Sequence, residues 1–278
     1  MRNTGKETTY VIKPPKGLVN IDFQEIWRFR ELLYIFAWRD LKVRYKQTAL
    51  GIAWAIFQPI LTMVVFTIFF GNLAKVPSDG VPYPVFVYTG LLFWNYFSTA
   101  LTNASNCLID NEAIVKKIYF PRLILPLAVT VTPLVDFAFA FVILVVLMLV
   151  YGYLPNLLGL ILVPIFLIIS FVTASGLGMF LAAINAKYRD VRYILPFFIQ
   201  LLMFVTPVIY PVSIIPRFKW VAYFNPMSGV ISSARSAMLN GTVSDWQGLL
   251  MAVLMSIAIF IFGLTIFRKT ERFFADIL

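Results

Sequence analysis

The chain has 278 residues, of which 60% are hydrophobic and 13% are charged, and its formal net charge is +10. Ordinary soluble domains carry roughly 25% charged residues, so this composition excludes that class and indicates a polytopic helical membrane protein. A transmembrane barrel is excluded because its strands give alternating segments of about ten residues, and the apolar runs here are long and unbroken. A single cysteine, Cys107, excludes an intrachain disulfide, and the lack of histidine argues against a metal site.

Residues 1–48 are predicted to form a cytoplasmic segment that contains an amphipathic interface helix. Asp22, with Glu25 three residues later, is a candidate cap for this helix. Apolar residues then recur at near-helical spacing among basic ones as far as Lys42. A basic helix lying in the membrane surface is the favoured interpretation, and a solvated helix packed against a partner protein is the alternative. The first apolar run starts only at residue 50, too late for a cleavable signal peptide.

Six apolar runs are predicted to cross the bilayer as helices, which makes the fold an all-α polytopic membrane protein. Residues 49–268 are the predicted transmembrane domain and residues 269–278 a cytoplasmic tail, with the spans at about 50–70, 85–108, 123–150, 157–184, 193–210 and 249–267. Tyr151–Asn156 is the predicted turn between the third and fourth spans, because it contains glycine and proline.

A short helix is predicted between the fifth and sixth spans. Asn225 is a good N-cap, Pro226 suits the first helical position, and Gly241 is able to end the helix after Asn240. At about 15 residues this helix is too short to cross a bilayer. We therefore expect short re-entrant helices that dip into the outer leaflet, and a peripheral lid on the outer surface is the alternative.

The distribution of Lys and Arg predicts the orientation of the chain. Nineteen of these residues lie in the N-terminal segment, the second and fourth loops and the tail, and four lie in the other three loops. The positive-inside rule then places both termini in the cytoplasm. The basic charge is a topology signal, assisted by attraction to anionic lipid headgroups, and no nucleic-acid partner is expected.

Asp136 is the only charged residue between Arg122 and Lys187, and it lies in the third predicted span. We expect a buried carboxylate that is hydrogen-bonded to a neighbouring helix, because no basic residue shares its depth in the predicted topology. A relay or gate residue is the alternative.

Two helical stripes of the predicted spans carry polar or small residues. The polar stripe on the second span would either line a polar pathway or join helices by hydrogen bonds, and the pattern leaves both open; it consists of Asn95, Thr99, Thr102, Asn103 and Asn106. The stripe on the fourth span predicts close helix packing, and it consists of Ser170, Ala174, Gly178 and Ala182.

Four motifs resemble those of ABC-2 type permeases that export polysaccharides, and they follow the family's order along nearly the whole chain. They are Arg39–Lys46 continuing to Pro59, Asn111–Pro121, Tyr188–Val191 and Thr206–Tyr210. The chain is most similar to the Wzm-type subunits of O-antigen exporters, with teichoic-acid and capsule permeases as neighbouring groups.

This resemblance implies a subunit of a homodimer in the inner (cytoplasmic) membrane, with two copies of a separate cytoplasmic ATPase. It implies export of a polyprenyl-linked polysaccharide through a channel between the two permease subunits. ATP and Mg would be bound by the ATPase, so this chain is expected to bind no cofactor or metal and to have no catalytic residues. The resemblance also implies an ATPase-coupling loop made of Asn111, Glu112, Ala113, Ile114, Val115, Lys116, Lys117 and Ile118.

Aromatic residues in the first two spans exceed the number that interfacial anchoring requires. Aromatic faces stack on sugar rings, and a polymer slides past stacking faces and weak hydrogen bonds more easily than past charges. The predicted channel-lining residues are therefore Phe66, Phe70, Trp94, Asn95, Tyr96, Thr99 and Asn103.

Two other functions are left open by the sequence. An ABC-2 permease for drugs or small lipids would have the same fold without a wide channel. A membrane glycosyltransferase would need carboxylates at the interface, for which Asp110, Glu112 and Asp190 are the candidates. The chain has no phosphate-binding loop of the G-x-x-x-x-G-K-[ST] type, so ATP hydrolysis is expected in a separate subunit.

Overall fold

The computed structural model describes residues 27–46, 51–188, 190–214, 219–271 and 273–274. These residues form helices and turns without strands, as predicted; the α-helices are α1 (Arg30–Lys46), α2 (Gly51–Phe66), α3 (Tyr83–Asp110), α4 (Glu112–Lys117), α5 (Ile124–Val131), α6 (Pro133–Val150), α7 (Leu157–Lys187), α8 (Val191–Val205), α9 (Lys219–Phe224), α10 (Pro226–Arg235) and α11 (Trp246–Glu271). Helices α2 and α10 continue as π-helices at Thr67–Leu73 and Ser236–Asn240. The predicted cap at Asp22 and Glu25 lies outside the described residues.

Four helical stretches are long and apolar enough to cross a membrane: Ile56–Leu73, Ile124–Val150, Leu157–Lys187 and Trp246–Glu271. They correspond to the first, third, fourth and sixth predicted spans. Helix α3 has 28 residues but carries the polar stripe, and α8 is apolar but has only 15 residues. The count of six spans therefore stays a prediction.

Helix α8 ends five residues before the end of the fifth predicted span. Thr206 takes an extended conformation with a ψ of 139°, and the next residue is Pro207. Proline has no N–H and disfavours a helical residue before it, so the helix stops although the apolar run continues. The prediction of one span over 193–210 is wrong in this respect: Thr206–Tyr210 is a turn.

Helix α3 lies at the centre of the bundle and packs against α5, α6, α7 and α10. Its contact with α7 uses the small-residue stripe, which is buried: a Cβ atom at Gly178 would lie 2.3 Å from the Cβ of Ala104 on α3. Helices α7 and α11 approach as closely, since a Cβ atom at Gly263 would lie 1.9 Å from the carbonyl oxygen of Gly176. Close packing through the stripe is confirmed.

The bundle has two ends that differ in charge. At the basic end, the Arg39 side chain donates a hydrogen bond to Asn111, and the Arg122 N–H donates one to Glu271. This end also carries Lys116, Lys187 and Lys269. The opposite end is made of the turns between the other helices. There, the Tyr153 hydroxyl donates to the carbonyl of Gly80, and the Tyr83 hydroxyl donates to the carbonyl of Ile209.

The short helix between the fifth and sixth predicted spans is confirmed. The Asn225 side chain accepts a hydrogen bond from the Met227 N–H at 3.1 Å, as an N-cap does. The helix runs through α10 and its π-helical extension to Asn240, and Gly241 ends it with a φ of 70°. Such a left-handed residue at the end of a helix is usually glycine, because a side chain would be strained there.

Candidate functional site

The predicted coupling loop forms a short helix at the basic end. It is α4, with Asn111 before it and Ile118 after it. Val115 is buried and anchors the helix, and Ile114 is half-buried. Four residues are exposed, namely Ala113, Lys116, Lys117 and Ile118, and Lys116 pairs with Glu112 at 2.5 Å. The loop therefore presents a small apolar and basic surface, and its coupling role stays a prediction.

Helix α1 is attached directly to this loop. The Arg39 guanidinium donates to the Asn111 side-chain oxygen at 2.8 Å, and it also pairs with Asp40 at 2.7 Å. The Asn111 amide in turn donates to the carbonyl of Cys107, so the side chain joins α1 to the end of α3. The buried rings of Phe36 and Phe120 lie 5.7 Å apart and add an apolar contact.

The C-terminal end of α1 reaches Asp136 on α6. A guanidinium nitrogen of Arg44 lies 2.6 Å from one carboxylate oxygen, and the Tyr45 hydroxyl donates to the other. Burial and the adjacent carboxylate raise the pKa of Tyr45, so the phenol stays protonated and remains a donor. The expectation that no basic residue shares the depth of Asp136 is wrong. The residues are far apart in sequence, and only the packing of α1 against the bundle brings them together.

A polar cavity of about 100 Å³ adjoins this ion pair. It is lined by the two residues of the ion pair, Arg44 and Asp136, and by residues of α2, α3 and α6. The latter include Gln58, Asn95, Tyr96, Ser98, Thr99, Pro133 and Phe137. The cavity places a charge pair beside amide and hydroxyl groups in an otherwise apolar part of the bundle.

Three of the seven predicted channel-lining residues line this cavity: Asn95, Tyr96 and Thr99. Trp94 is buried against Phe97 at a ring distance of 5.5 Å and lies away from it.

The remaining predicted channel residues lie elsewhere and are half-buried. Phe66 and Phe70 form an edge-to-face pair with their rings 5.6 Å apart, and Asn103 lies further along α3. The structure does not bring these residues to the cavity, and the channel-lining role of all seven stays a prediction.

The polar stripe of α3 divides into two parts. Towards the basic end, the Asn185 amide on α7 donates to the side-chain oxygen of Asn106 at 3.1 Å and to the carbonyl of Ser105 at 3.0 Å. This part joins helices. Nearer the middle of α3, Asn95 and Thr99 line the cavity. The interpretation as hydrogen bonds between helices is therefore confirmed for the first part, and the polar pathway stays a prediction for the second.

Arg235 is a feature that the sequence interpretation missed, because it was counted only as one charge of a loop. Its side chain is buried in α10 at the opposite end of the bundle. It donates to the carbonyls of Phe86 at 3.0 Å and Pro207 at 2.6 Å, and also to that of Val208. Its guanidinium carbon lies 3.6 Å from the centre of the Phe86 ring. Burial lowers the pKa of Arg235 to about 9, so it is charged at neutral pH.

Comparison with known proteins gives a family match over most of the chain. Residues 31–239 match the family described as ABC-2 type transporter. The chain is 31% identical over 249 residues to the O-antigen export system permease protein RfbA of Klebsiella pneumoniae, covering 89% of this chain and 95% of that protein. It is 30% identical to the protein of the same name from Myxococcus xanthus, covering 91% and 97%. It is 23% identical to the polysialic acid transport protein KpsM of Escherichia coli, covering 84% and 91%.

Proposed function

The chain belongs to the ABC-2 type transporter family, and from this premise we propose that it is the membrane-spanning permease subunit of an ATP-driven exporter. The proposed cargo is a polyprenyl-linked polysaccharide of the O-antigen kind, moved from the cytoplasm across the inner membrane. The class of cargo is inferred from the similarity to two O-antigen export permeases, which covers 89% of this chain for the Klebsiella pneumoniae protein and 91% for the Myxococcus xanthus protein.

Export is tested by deleting the gene in the cell that carries it and restoring it from a plasmid. The deletion should remove the polysaccharide from the cell surface and cause the lipid-linked glycan to accumulate inside. Restoring the chain should reverse both changes. Unchanged surface polysaccharide in the deletion, with altered resistance to drugs, would instead support a permease for small molecules.

We propose that six helices cross the membrane, that both termini are cytoplasmic, and that α9 and α10 are re-entrant from the outer side. The concentration of basic residues at one end of the bundle supports this orientation. The native Cys107 is buried, so an impermeant thiol reagent reports only on introduced cysteines. Thr242→Cys should react in whole cells, and Lys116→Cys only after lysis, since both positions are exposed. The reverse pattern would invert the topology.

We propose that α4 contacts a separate ATPase and transmits its conformational change to the bundle. The ATPase is present in two copies beneath a dimer of this chain, and ATP and Mg bind in that ATPase. The exposed surface of α4 supports this role, as does its attachment to α1 through Arg39 and Asn111. The purified chain alone should hydrolyse no ATP, and ATP hydrolysis should appear only when the ATPase is added. Turnover by the chain alone would contradict the proposal.

A further inference from the structure

The opposite end of the bundle holds a second cavity, separate from the one beside Asp136. Its volume is about 410 Å³, within the ~300–1,000 Å³ typical of sites for small ligands. It lies between the turn that contains Asp79, the segment around Ser213, and α10 with its π-helical extension. We infer that this cavity is a binding subsite for a neutral sugar unit of the exported polysaccharide. This inference rests on the proposed function.

Arg235 supplies fixed hydrogen-bond donors in the cavity wall. A guanidinium group has five N–H groups, and the carbonyls of Phe86, Pro207 and Val208 accept from three of them. The three carbonyls and the Phe86 ring hold the group in place, so its remaining donors are already oriented before a ligand arrives.

The rest of the lining supplies hydroxyl groups and acceptors. Asp79 accepts a hydrogen bond from the Ser213 hydroxyl at 2.9 Å, and a carboxylate has further lone pairs for other donors. The Ser232 side chain also lines the cavity. A sugar hydroxyl both donates and accepts, so a wall with carboxylate, guanidinium and hydroxyl groups satisfies several hydroxyls of one ring.

The charge balance favours a neutral ligand over an anion. Arg235 shares the cavity with two carboxylates, Asp79 and Asp245. Asp245 accepts hydrogen bonds from the Tyr223 hydroxyl at 3.0 Å and from the Gly248 N–H at 3.1 Å. The cavity therefore has no excess positive charge to attract a phosphate or an acidic sugar.

Recognition here is expected to be weak, and this suits a site that a polymer passes. The Phe86 ring is buried and one of its faces is covered by the Arg235 guanidinium, so a sugar ring cannot stack on it. A hydrogen bond to the protein replaces one to water, so its net contribution is small and a unit held by a few such bonds leaves readily.

The ligand for the test is a neutral oligosaccharide released from the surface glycan of the same cell. Its binding is measured to the intact complex of this chain with its ATPase. Saturation-transfer NMR gives the Kd. Asp79→Asn keeps the shape of the side chain, and asparagine tolerates the positive φ of 52° at this position. Combined with Ser232→Ala, it should raise the Kd about fivefold to tenfold, because two hydrogen-bonding groups are lost. Ser232→Phe should abolish binding by filling the cavity.

Ser228→Ala is the matched control. It removes a hydroxyl from the same helix, but Ser228 is buried and does not line the cavity, so the Kd should not change. An unchanged Kd in the Asp79/Ser232 double variant and in Ser232→Phe would overturn the subsite, as would displacement by inorganic phosphate. The surface-glycan assay is read separately. If deletion of the gene leaves export intact, the proposed function fails, whereas normal export with no cavity-dependent binding rejects only the subsite.

Discussion

The Arg44–Asp136 ion pair gives the sharpest test of how α1 is attached to the bundle. The perturbation is Asp136→Asn, which keeps the size of the side chain and removes its charge. Removing one partner of a fully buried pair costs about 3–5 kcal/mol, and exposed pairs contribute about 0–1 kcal/mol. The side chains here are 39% exposed for Arg44 and 19% for Asp136, so solvent screens the pair in part. We expect a loss of about 1–2 kcal/mol in stability.

A double-mutant cycle separates the pair from other effects of the substitution. Arg44→Gln should cost a similar amount, and Arg44→Gln with Asp136→Asn should cost less than the sum, with an interaction energy of about 1 kcal/mol. Tyr45→Phe leaves the ion pair and removes one hydrogen bond, so it should cost about 0.5–1.5 kcal/mol. Lys116→Gln is the control, because its exposed pair with Glu112 on one helix contributes only about 0.3–0.5 kcal/mol.

Thermal unfolding of the purified protein in detergent is the assay for the cycle. A loss of 1 kcal/mol lowers the midpoint by roughly 2–4 °C in proteins of about this size. High salt should shrink the difference between wild type and Asp136→Asn, since the Debye length falls from about 10 Å at 0.1 M to about 3 Å at 1 M. Strict additivity of the two substitutions would refute the reasoning, because it would mean that Arg44 and Asp136 do not stabilise each other.

Three further predictions concern other parts of the chain. Lys117→Cys should crosslink in membranes to a cysteine introduced on the facing surface of the proposed ATPase, because Lys117 is exposed on α4. Absence of this crosslink in an intact complex would contradict the coupling role. Phe70→Leu should lower export while leaving assembly intact, because stacking contributes about 0.5–1.5 kcal/mol. Phe69→Leu is the control, because Phe69 is not among the predicted channel-lining residues, and equal export by both variants argues against stacking. Gly263→Ala should destabilise the chain by about 1–3 kcal/mol in thermal unfolding, since its Cβ atom would meet the Gly176 backbone.

Features set by neighbouring residues were predictable from the sequence. The helix from Pro226 to Asn240 is one example, because the cap, the first-turn proline and the terminating glycine all act within one turn of the backbone they affect. The turn at Tyr151–Asn156 is another, and the burial of Gly178 followed from the spacing of small residues along one helix.

Features that depend on which helices meet were not predictable in this way. Tyr45 and Asp136 are 91 residues apart, and Arg235 and Phe86 are 149 residues apart. Hydropathy assigns a depth to each residue of a span, but it does not show that a side chain from a surface helix reaches that depth. It also treats Val205 and Val208 alike, although Thr206 and Pro207 between them end the helix.

Helix α1 connects the proposed coupling loop to the polar cavity through two arginines. Arg39 holds Asn111 next to α4, and Arg44 holds Asp136 beside the cavity. The two residues are five positions apart, which is about 7.5 Å along a helix axis. A helix transmits displacement along its axis because its backbone hydrogen bonds resist stretching. A movement of α4 that pulls on Arg39 would therefore shift Arg44 by a similar distance, and the cavity wall at Asp136 would either follow it or lose the ion pair.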